Sequence, residues 1–394
     1  MNLNQDELVA LEITELTAVV QTMFGDVPVQ VEVWQAKPLH GGTVGLVYEI
    51  SGTCRRMCKA ALTDGADESG RPSPVTVSDE QAELRWSVVL KIQKPFARFG
   101  DPESWQREMR LYRSDVYVAL PPTVKVPRCY RVTVKRGAIW MWLEQVSGRN
   151  GTQLSLDEYS QAARHLAHLQ GAFLTGKPLP SQPWLSTQYW LAHISADWGT
   201  RAIAWLDSGE WRQEDSQLSD ETVREMRRLW AARDRLLDAY YTLPRTLCHR
   251  DFSAGNVFVM AQHVRDAKEV QRLGQTVVID WDCAGIGIAG EDIADLVGEA
   301  LVFYEFEPAQ AAQLQETVLS SYVKGLREAG WNGDEQLIRL GYKISLTLHW
   351  CFRIAIRLRK QESREARHRE AAALSFVAGQ AAAVQSELAP DRRS

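Results

Sequence analysis

No Cys-x-x-Cys pair occurs in this chain. Its six cysteines, Cys54, Cys58, Cys129, Cys248, Cys283 and Cys351, are scattered, which argues against a disulfide framework and for a cytoplasmic chain with reduced thiols. An excess of positive charge is also missing: 45 Lys and Arg face 50 Asp and Glu, a net −5, so no nucleic-acid partner is expected. Long apolar runs are absent. The most apolar late stretch, Ala371 to Val384, is short, alanine-dominated and holds Gly379 and Gln380, so no membrane span is predicted. The opening MNLNQDELVALE is acidic where a secretion signal would be basic and then apolar. No internal repeat is visible. What remains is a chain of 394 residues with 45% hydrophobic and 24% charged residues, a folded protein of about two or three packed units.

The first part reads as sheet. Val29 to Trp34 alternates, Val44 to Ile50 follows a glycine-rich turn, and Arg85 to Ile92 is a third apolar run. Thr53 to Glu83, rich in Gly, Ser, Pro and Asp, reads as an insertion or long hairpin loop. Ser104 to Ser114 is helical by composition, and Cys129 to Val134 and Ala138 to Leu143 complete a small sheet with one helix. From Leu154 the apolar period becomes three to four, as one buried helix face requires. Thr222 to Tyr241 and Ala309 to Ala329 repeat it. Two short β segments, Val257 to Met260 and Thr276 to Ile279, interrupt the helices and suggest a hairpin. The chain therefore divides into a sheet unit, 1–145, and a helical unit, 146–394, with the boundary in VSGRNG.

The sharpest chemical signal is Cys248-His249-Arg250-Asp251-Phe252-Ser253-Ala254-Gly255-Asn256. It fits the kinase catalytic-loop pattern of His-Arg-Asp with Asn five residues after the Asp. Phosphoryl transfer needs one group to orient the accepting hydroxyl and take its proton, and cations to neutralise the phosphates. Asp251 is the candidate for the first role. Asn256 and Asp280, which ends the apolar run Val277-Val278-Ile279, are the candidate Mg2+ ligands, since that hard ion takes oxygen donors. If the two β segments pair antiparallel, Asn256 and Asp280 come out side by side. Asp282 reads first as a solvated turn residue and second as an extra ligand or acceptor contact. Upstream, Gly41-Gly42-Thr43-Val44-Gly45 would let backbone amides approach phosphates, with Gly42 and Gly45 as the matching glycines; a plain hairpin turn looks the same. Lys91 lies in an apolar strand, either as a strand-edge lysine or as a phosphate ligand held by Glu108 on the following helix. Trp140 to Val146 is where a hinge would offer backbone groups to adenine, through Glu144 and Val146.

In this order the glycine turn, Lys91, Glu108, hinge, His249-Arg250-Asp251…Asn256 and Ile279-Asp280 resemble the protein-kinase-like superfamily, and within it the aminoglycoside phosphotransferase and choline kinase family. Trp281-Asp282 in place of Phe-Gly, and no Ala-Pro-Glu segment after it, point to the small-molecule branch. The resemblance implies an α+β, two-lobed kinase-like fold, ATP or GTP as donor, Mg2+, and phosphorylation of a hydroxyl on a small-molecule acceptor. In that resemblance Asp295, within Glu291-Asp292…Asp295-Leu296, is a structural or acceptor-side acid. The first glycine of the loop is replaced by His40. The rival class is a catalytically silent kinase-like binding module.

Composition also bears on the acceptor. Asp207 to Glu225 has seven acids against two arginines, Glu291 to Glu307 has six acids and no Lys or Arg, and Trp184, Trp190, Trp198, Trp205 and Trp211 crowd one region. Such surroundings suit a cation, whereas solvated helix faces and core indoles are the plainer account of each residue. By the same standard, His165 and His168 read as helix surface rather than a metal site. Arg353 to Arg369 reads as a solvated basic helix face.

Overall fold

A computed structural model describes residues 11–39, 45–57, 83–98, 101, 103–187, 189–212, 217–260, 274–304 and 306–388. In chain order these form α1 (Ile13–Met23), β1 (Val29–Pro38), β2 (Gly45–Arg56), β3 (Glu83–Gln93), α2 (Ser104–Tyr112), β4 (Val124–Lys125), β5 (Cys129–Lys135) and β6 (Ala138–Glu144). Then come α3 (Leu156–Leu174), α4 (Trp190–Ser208), α5 (Asp220–Ala231), α6 (Arg233–Thr242), β7 (Arg245–Cys248), β8 (Val257–Val259), β9 (Thr276–Val278) and β10 (Gly285–Ile288). The chain ends with α7 (Glu291–Val302), α8 (Ala311–Glu328), α9 (Glu335–Leu346), a π-helical turn Thr347–Cys351, α10 (Phe352–Lys360) and α11 (Arg364–Glu387).

The chain forms two compact units, one of 1–94 with 127–145 and one of 95–126 with 146–394. They do not follow the single boundary at 145 that the sequence suggests. The segment 95–126 belongs to the helical unit because α2 is tied there: buried Arg107 donates from Nε to the Trp184 carbonyl at 2.9 Å and from Nη1 to the Asp282 carbonyl.

The sheet unit is an antiparallel sheet in the order β1-β2-β3-β6-β5. Alternation explains its core: Trp86, Val88, Leu90 and Ile92 of β3 point one way and pack with Tyr48, Ile50, Trp140, Trp142 and the buried α1 face of Leu16, Val19 and Val20. Pairing of β2 with β3 runs from Gly45↔Gln93 to Arg55↔Glu83, so the expected insertion is the connection of this hairpin; 58–82 lie outside the described residues.

In the helical unit the Glu158 carboxylate accepts the Ser155 N–H at 2.8 Å and caps α3. Tyr159, Ala162, Ala163, Leu166, Leu169 and Phe173 form its buried stripe, laid along α8. The expected helix from Thr222 to Tyr241 is two helices, α5 and α6, divided at Ala232. Three further expectations change. His165 is fully buried and its Nδ1 meets Thr276 Oγ1 at 2.8 Å, because the α3 stripe that carries it faces β9 rather than solvent. The basic C-terminal stretch is no single solvated face: α10 and α11 are separate helices joined by Arg357–Glu370, at 3.1 Å. Among the clustered tryptophans Trp190, Trp205 and Trp211 are core. No helix among the described residues is long and apolar enough to cross a membrane.

Candidate active site

Two nested antiparallel strand pairs build the site. β7 pairs antiparallel with β10, Cys248 opposite Gly285, and β8 pairs antiparallel with β9, Val257 opposite Val278. The loop 249–256 therefore leaves the outer pair and enters the inner one, while Ile279-Asp280 and the 3-10 turn Trp281–Cys283 make the return path. The Ile279 N–H donates to the Asn256 carbonyl at 2.9 Å. Asn256 and the stretch leading to Asp280 are thus adjacent, as antiparallel pairing requires.

The loop is clamped through its backbone. Asp292, at the start of α7, accepts the N–H of His249 at 2.8 Å and of Arg250 at 2.7 Å, and the Gln170 amide at 2.8 Å. Arg250 has φ +64°, a left-handed conformation that costs a non-glycine residue on the order of 1 kcal/mol or more. Its side chain is anchored to match: Nε donates to Glu291 Oε1 at 3.0 Å, Nη1 to Ser186 Oγ at 2.7 Å and to the Thr187 carbonyl at 2.7 Å, and Nη2 to the Ile286 carbonyl at 2.9 Å. Arg250 is therefore a buried strut. The His249 Nδ1 accepts the Asp251 N–H at 3.2 Å, so its Nε2 carries the proton donated to the Ile279 carbonyl at 2.9 Å. One imidazole thereby couples the Asp251 backbone to the strand end that presents Asp280, which itself has φ +62°.

Asn256 Nδ2 donates to both the Asp251 carbonyl and Asp251 Oδ2, each at 3.0 Å. Both partners are acceptors, so the amide orientation is chemically determined and Oδ1 is turned away from Asp251. Burial pushes the Asp251 carboxyl well above the usual range, and Glu299, Asp280, Asp282 and Asp295 push it further. Burial likewise raises Glu299, with Asp295 adding to the rise against the pull of Arg353 and a Ser253 hydrogen bond, to about 7. Ser253 and the Gly255 backbone also hydrogen-bond the Tyr304 hydroxyl. A Cβ on Gly255 would lie 2.0 Å from that oxygen, so any larger residue here has to displace the Tyr304 ring.

Asp282 is buried, and Oδ1 accepts from Arg98 Nη1 at 3.0 Å. The expected solvated turn residue is instead an interior ion pair, because the 3-10 turn is packed against α2 and Arg107 holds its carbonyl. Asp295 Oδ1 accepts from His349 Nδ1 at 2.8 Å and Trp350 Nε1 at 3.0 Å. In the sheet unit, Lys91 is buried on the inner strand β3, between Val47 and Met141 and on the face opposite Leu90 and Ile92, so it is no strand-edge lysine. Gly45 opens β2 opposite Gln93; Gly42 lies outside the described residues. Glu144 ends β6, its N–H donating to the Arg128 carbonyl at 2.8 Å and its Oε2 accepting the Arg128 N–H at 3.0 Å. Glu108 is buried on α2 and half-buried Val146 begins the second stretch of the helical unit. Sequence reasoning gave no role to Arg98, Arg107, Ser186, Glu299 and His349, for each acts through a partner more than 45 residues away.

Comparison with known proteins follows the same lines. The model of the phosphotransferase enzyme family (APH) matches residues 73–329. Among solved structures, choline kinase from Cryptosporidium parvum Iowa II is similar at 12% identity over 95% of this chain and 96% of that chain, with a TM-score of 0.52. An aminoglycoside phosphotransferase from Alicyclobacillus acidocaldarius matches at 15% identity, 91% of each chain and TM-score 0.49. A thermostable mutant of aminoglycoside phosphotransferase APH(4)-Ia, crystallised with ADP and hygromycin B, matches at 15% identity, 95% of this chain, 99% of that chain and TM-score 0.45. No curated protein sequence matches.

Proposed function

The chain belongs to the phosphotransferase enzyme family and is a small-molecule kinase, and on that premise we propose that it moves the γ-phosphoryl group of ATP to an alcohol, with Asp251 as the catalytic residue. Asp251 orients the acceptor hydroxyl and takes its proton as the oxygen–phosphorus bond forms and the bond to the leaving ADP breaks. The observation that carries this is the Asp251–Asn256 pair: Asn256 Nδ2 donates once to the Asp251 carboxylate and once to its backbone carbonyl, fixing the side chain against its own loop, which Asp292 clamps.

Asn256 Oδ1 and the Asp280 carboxylate are the donors for a divalent cation, and the set fits Mg2+. Both are hard oxygen donors, and Asn256 Nδ2 is already committed to Asp251. Such an ion binds through one or two side chains plus phosphate oxygens and water. When bound, the ion neutralises phosphate charge. Lys91 and Gly45 serve the nucleotide phosphates, with Glu108 in the role of the charge that holds Lys91, and Glu144 and Val146 serve the base.

The acceptor is a small hydroxyl compound. The leaning toward a cation rests in part on acidic runs, four of whose members are ion-paired within the chain: Asp207 with Arg227, Glu210 with Arg359, Glu225 with Arg228 and Glu291 with Arg250. The test is Asp251→Asn, assayed with ATP, Mg2+ and a broad panel of alcohols by mass-spectrometric detection of added phosphate. Loss of transfer by at least about a hundredfold with nucleotide affinity retained is expected. Transfer at the wild-type rate by the variant overturns the role of Asp251, and no transfer by the wild type to any acceptor favours a silent binding module.

A further inference from the structure

On the Ser253 side of Asp251 lies a cluster that the mechanism above does not use. Its base is the π-helical turn Thr347–Cys351, a geometry often found at functional sites. The turn brings His349 and Trp350 together onto Asp295 Oδ1, at 2.8 and 3.0 Å. The indole is seated flat on α7, since a Cβ on Gly298 would meet Trp350 Cγ at 2.4 Å. Glu299, one residue along α7, takes a hydrogen bond from Ser253, two residues after Asp251. Buried carboxylates, an oriented indole and the exposed ring of Phe303 would together make a receptor for a cation.

That receptor already holds a cation supplied by the chain. The Arg353 guanidinium carbon sits 4.5 Å from the Trp350 ring centroid and 5.1 Å from that of Phe303, and Nη1 is 3.9 Å from Glu299 Oε1 and 3.5 Å from His349 Nε2. Since His349 Nδ1 faces a carboxylate, its Nε2 is left as an acceptor toward that guanidinium. Arg357 covers Phe303 as well, at 4.3 Å. Other indoles in this unit are similarly engaged: Arg250 lies over Trp190, Arg201 over Trp198, Arg212 over Trp211 and Arg233 over Trp230.

We infer that Arg353 is a specificity-determining residue that fills the cation position on the acceptor side of the site, so that the acceptors of this kinase are alcohols without a fixed positive charge. The inference rests on the kinase reading for the word acceptor, but the occupancy of the cluster does not. A permanent cation entering here would have to displace a tethered guanidinium and meet its repulsion, whereas a neutral or carboxylate-bearing alcohol would find a donor in Arg353.

The probe is tetramethylammonium, titrated against tryptophan fluorescence and calorimetry in wild type, Arg353→Ala and Arg353→Gln. Arg353→Ala removes the guanidinium and leaves Glu299, Trp350 and Phe303 in place; it is expected to bind the probe at least about tenfold more tightly than wild type. Arg353→Gln keeps a polar stem on α10 without the charge and should show the same direction of change if the alanine variant is unstable. Binding to wild type as tight as to a folded variant overturns the inference, as does a wild type that phosphorylates aminoglycosides or choline in preference to uncharged alcohols. A gain of probe binding in the variants with no phosphate transfer to any acceptor by wild type would leave the assignment of Arg353 standing and remove the kinase reading instead.

Discussion

Arg250 and Glu291 are the most exacting place to test how the catalytic loop is held. Their side chains are 0% and 4% exposed and 3.0 Å apart. At an effective dielectric of about 20, that separation corresponds to a gross attraction of about 5 kcal/mol. Most of it offsets the cost of taking both charges out of water, so the pair as a whole adds little; what is expensive is an orphaned charge. Glu291→Gln keeps the shape, and Tyr240 Oη at 2.6 Å and the Ile288 N–H at 3.2 Å still have an oxygen to approach, but the Arg250 charge is left uncompensated. Arg250→Met strands Glu291 and also withdraws donors from Ser186, Thr187 and Ile286. Each single change is expected to cost about 3–5 kcal/mol, and the double variant less than their sum by a coupling of about 2–4 kcal/mol. Urea unfolding followed by tryptophan fluorescence measures this, with unchanged slopes required for the comparison. Additivity of the two changes to within about 0.5 kcal/mol would refute the reasoning, because the two side chains would then not be acting on each other.

Three other outcomes follow from particular residues. Burial holds the His165 imidazole neutral and, with His168 and Arg164 adding to the effect, lowers it to about 4. The unfolded chain protonates this histidine near its ordinary value of 6.5. Its contribution is therefore complete above that pH and is lost as the pH falls toward about 4, by up to about 2–3 kcal/mol; His165→Gln should flatten that part of the stability profile, and an unchanged slope would contradict it. Gly255→Ala should lower transfer and thermal stability together by driving a methyl into the Tyr304 hydroxyl, and Tyr304→Ala in the same chain should restore part of both. If Gly255→Ala behaves as wild type, the tight contact is not maintained in solution. Finally, Cys248 and Cys283 are buried and their thiols raised well above the ordinary value, and burial brings Cys351 to about 12. All three should resist alkylation in the native protein and react on unfolding, as followed by mass spectrometry.

Local pattern carried a great deal. Alternation marked the strand that becomes β1, because a strand with one face on a core must repeat every two residues, and short apolar runs marked those that become β2, β3, β5 and β6. The hairpin of β8 and β9 followed from two short apolar runs, and its register brings Asn256 beside Ile279. Residue type together with motif spacing singled out Asp251, Asn256 and Asp280 as candidates, since hydroxyl activation and hard-cation binding admit few side chains. What escaped was whatever depends on burial or on distant partners. Asp282 reads as a turn residue just beyond the end of a strand, and only the packing of α2 encloses it with Arg98. His165 lies on a helix whose stripe is legible, yet which neighbour covers that stripe is not.

The acceptor side shows the same division most clearly. Acids and tryptophans are countable in the sequence, and a count of them favours a cationic ligand. Whether such a site is open is a matter of which arginine reaches which ring. Arg353 lies 54 residues beyond Glu299 and three beyond Trp350, and its contact with both arises from the packing of α7 against the π-turn and α10. The sequence by itself determined the chemistry on offer, because that is set by residue type and short spacing. Tertiary structure alone decided which of those groups already satisfy one another, because electrostatic and stacking partners are chosen by distance in space.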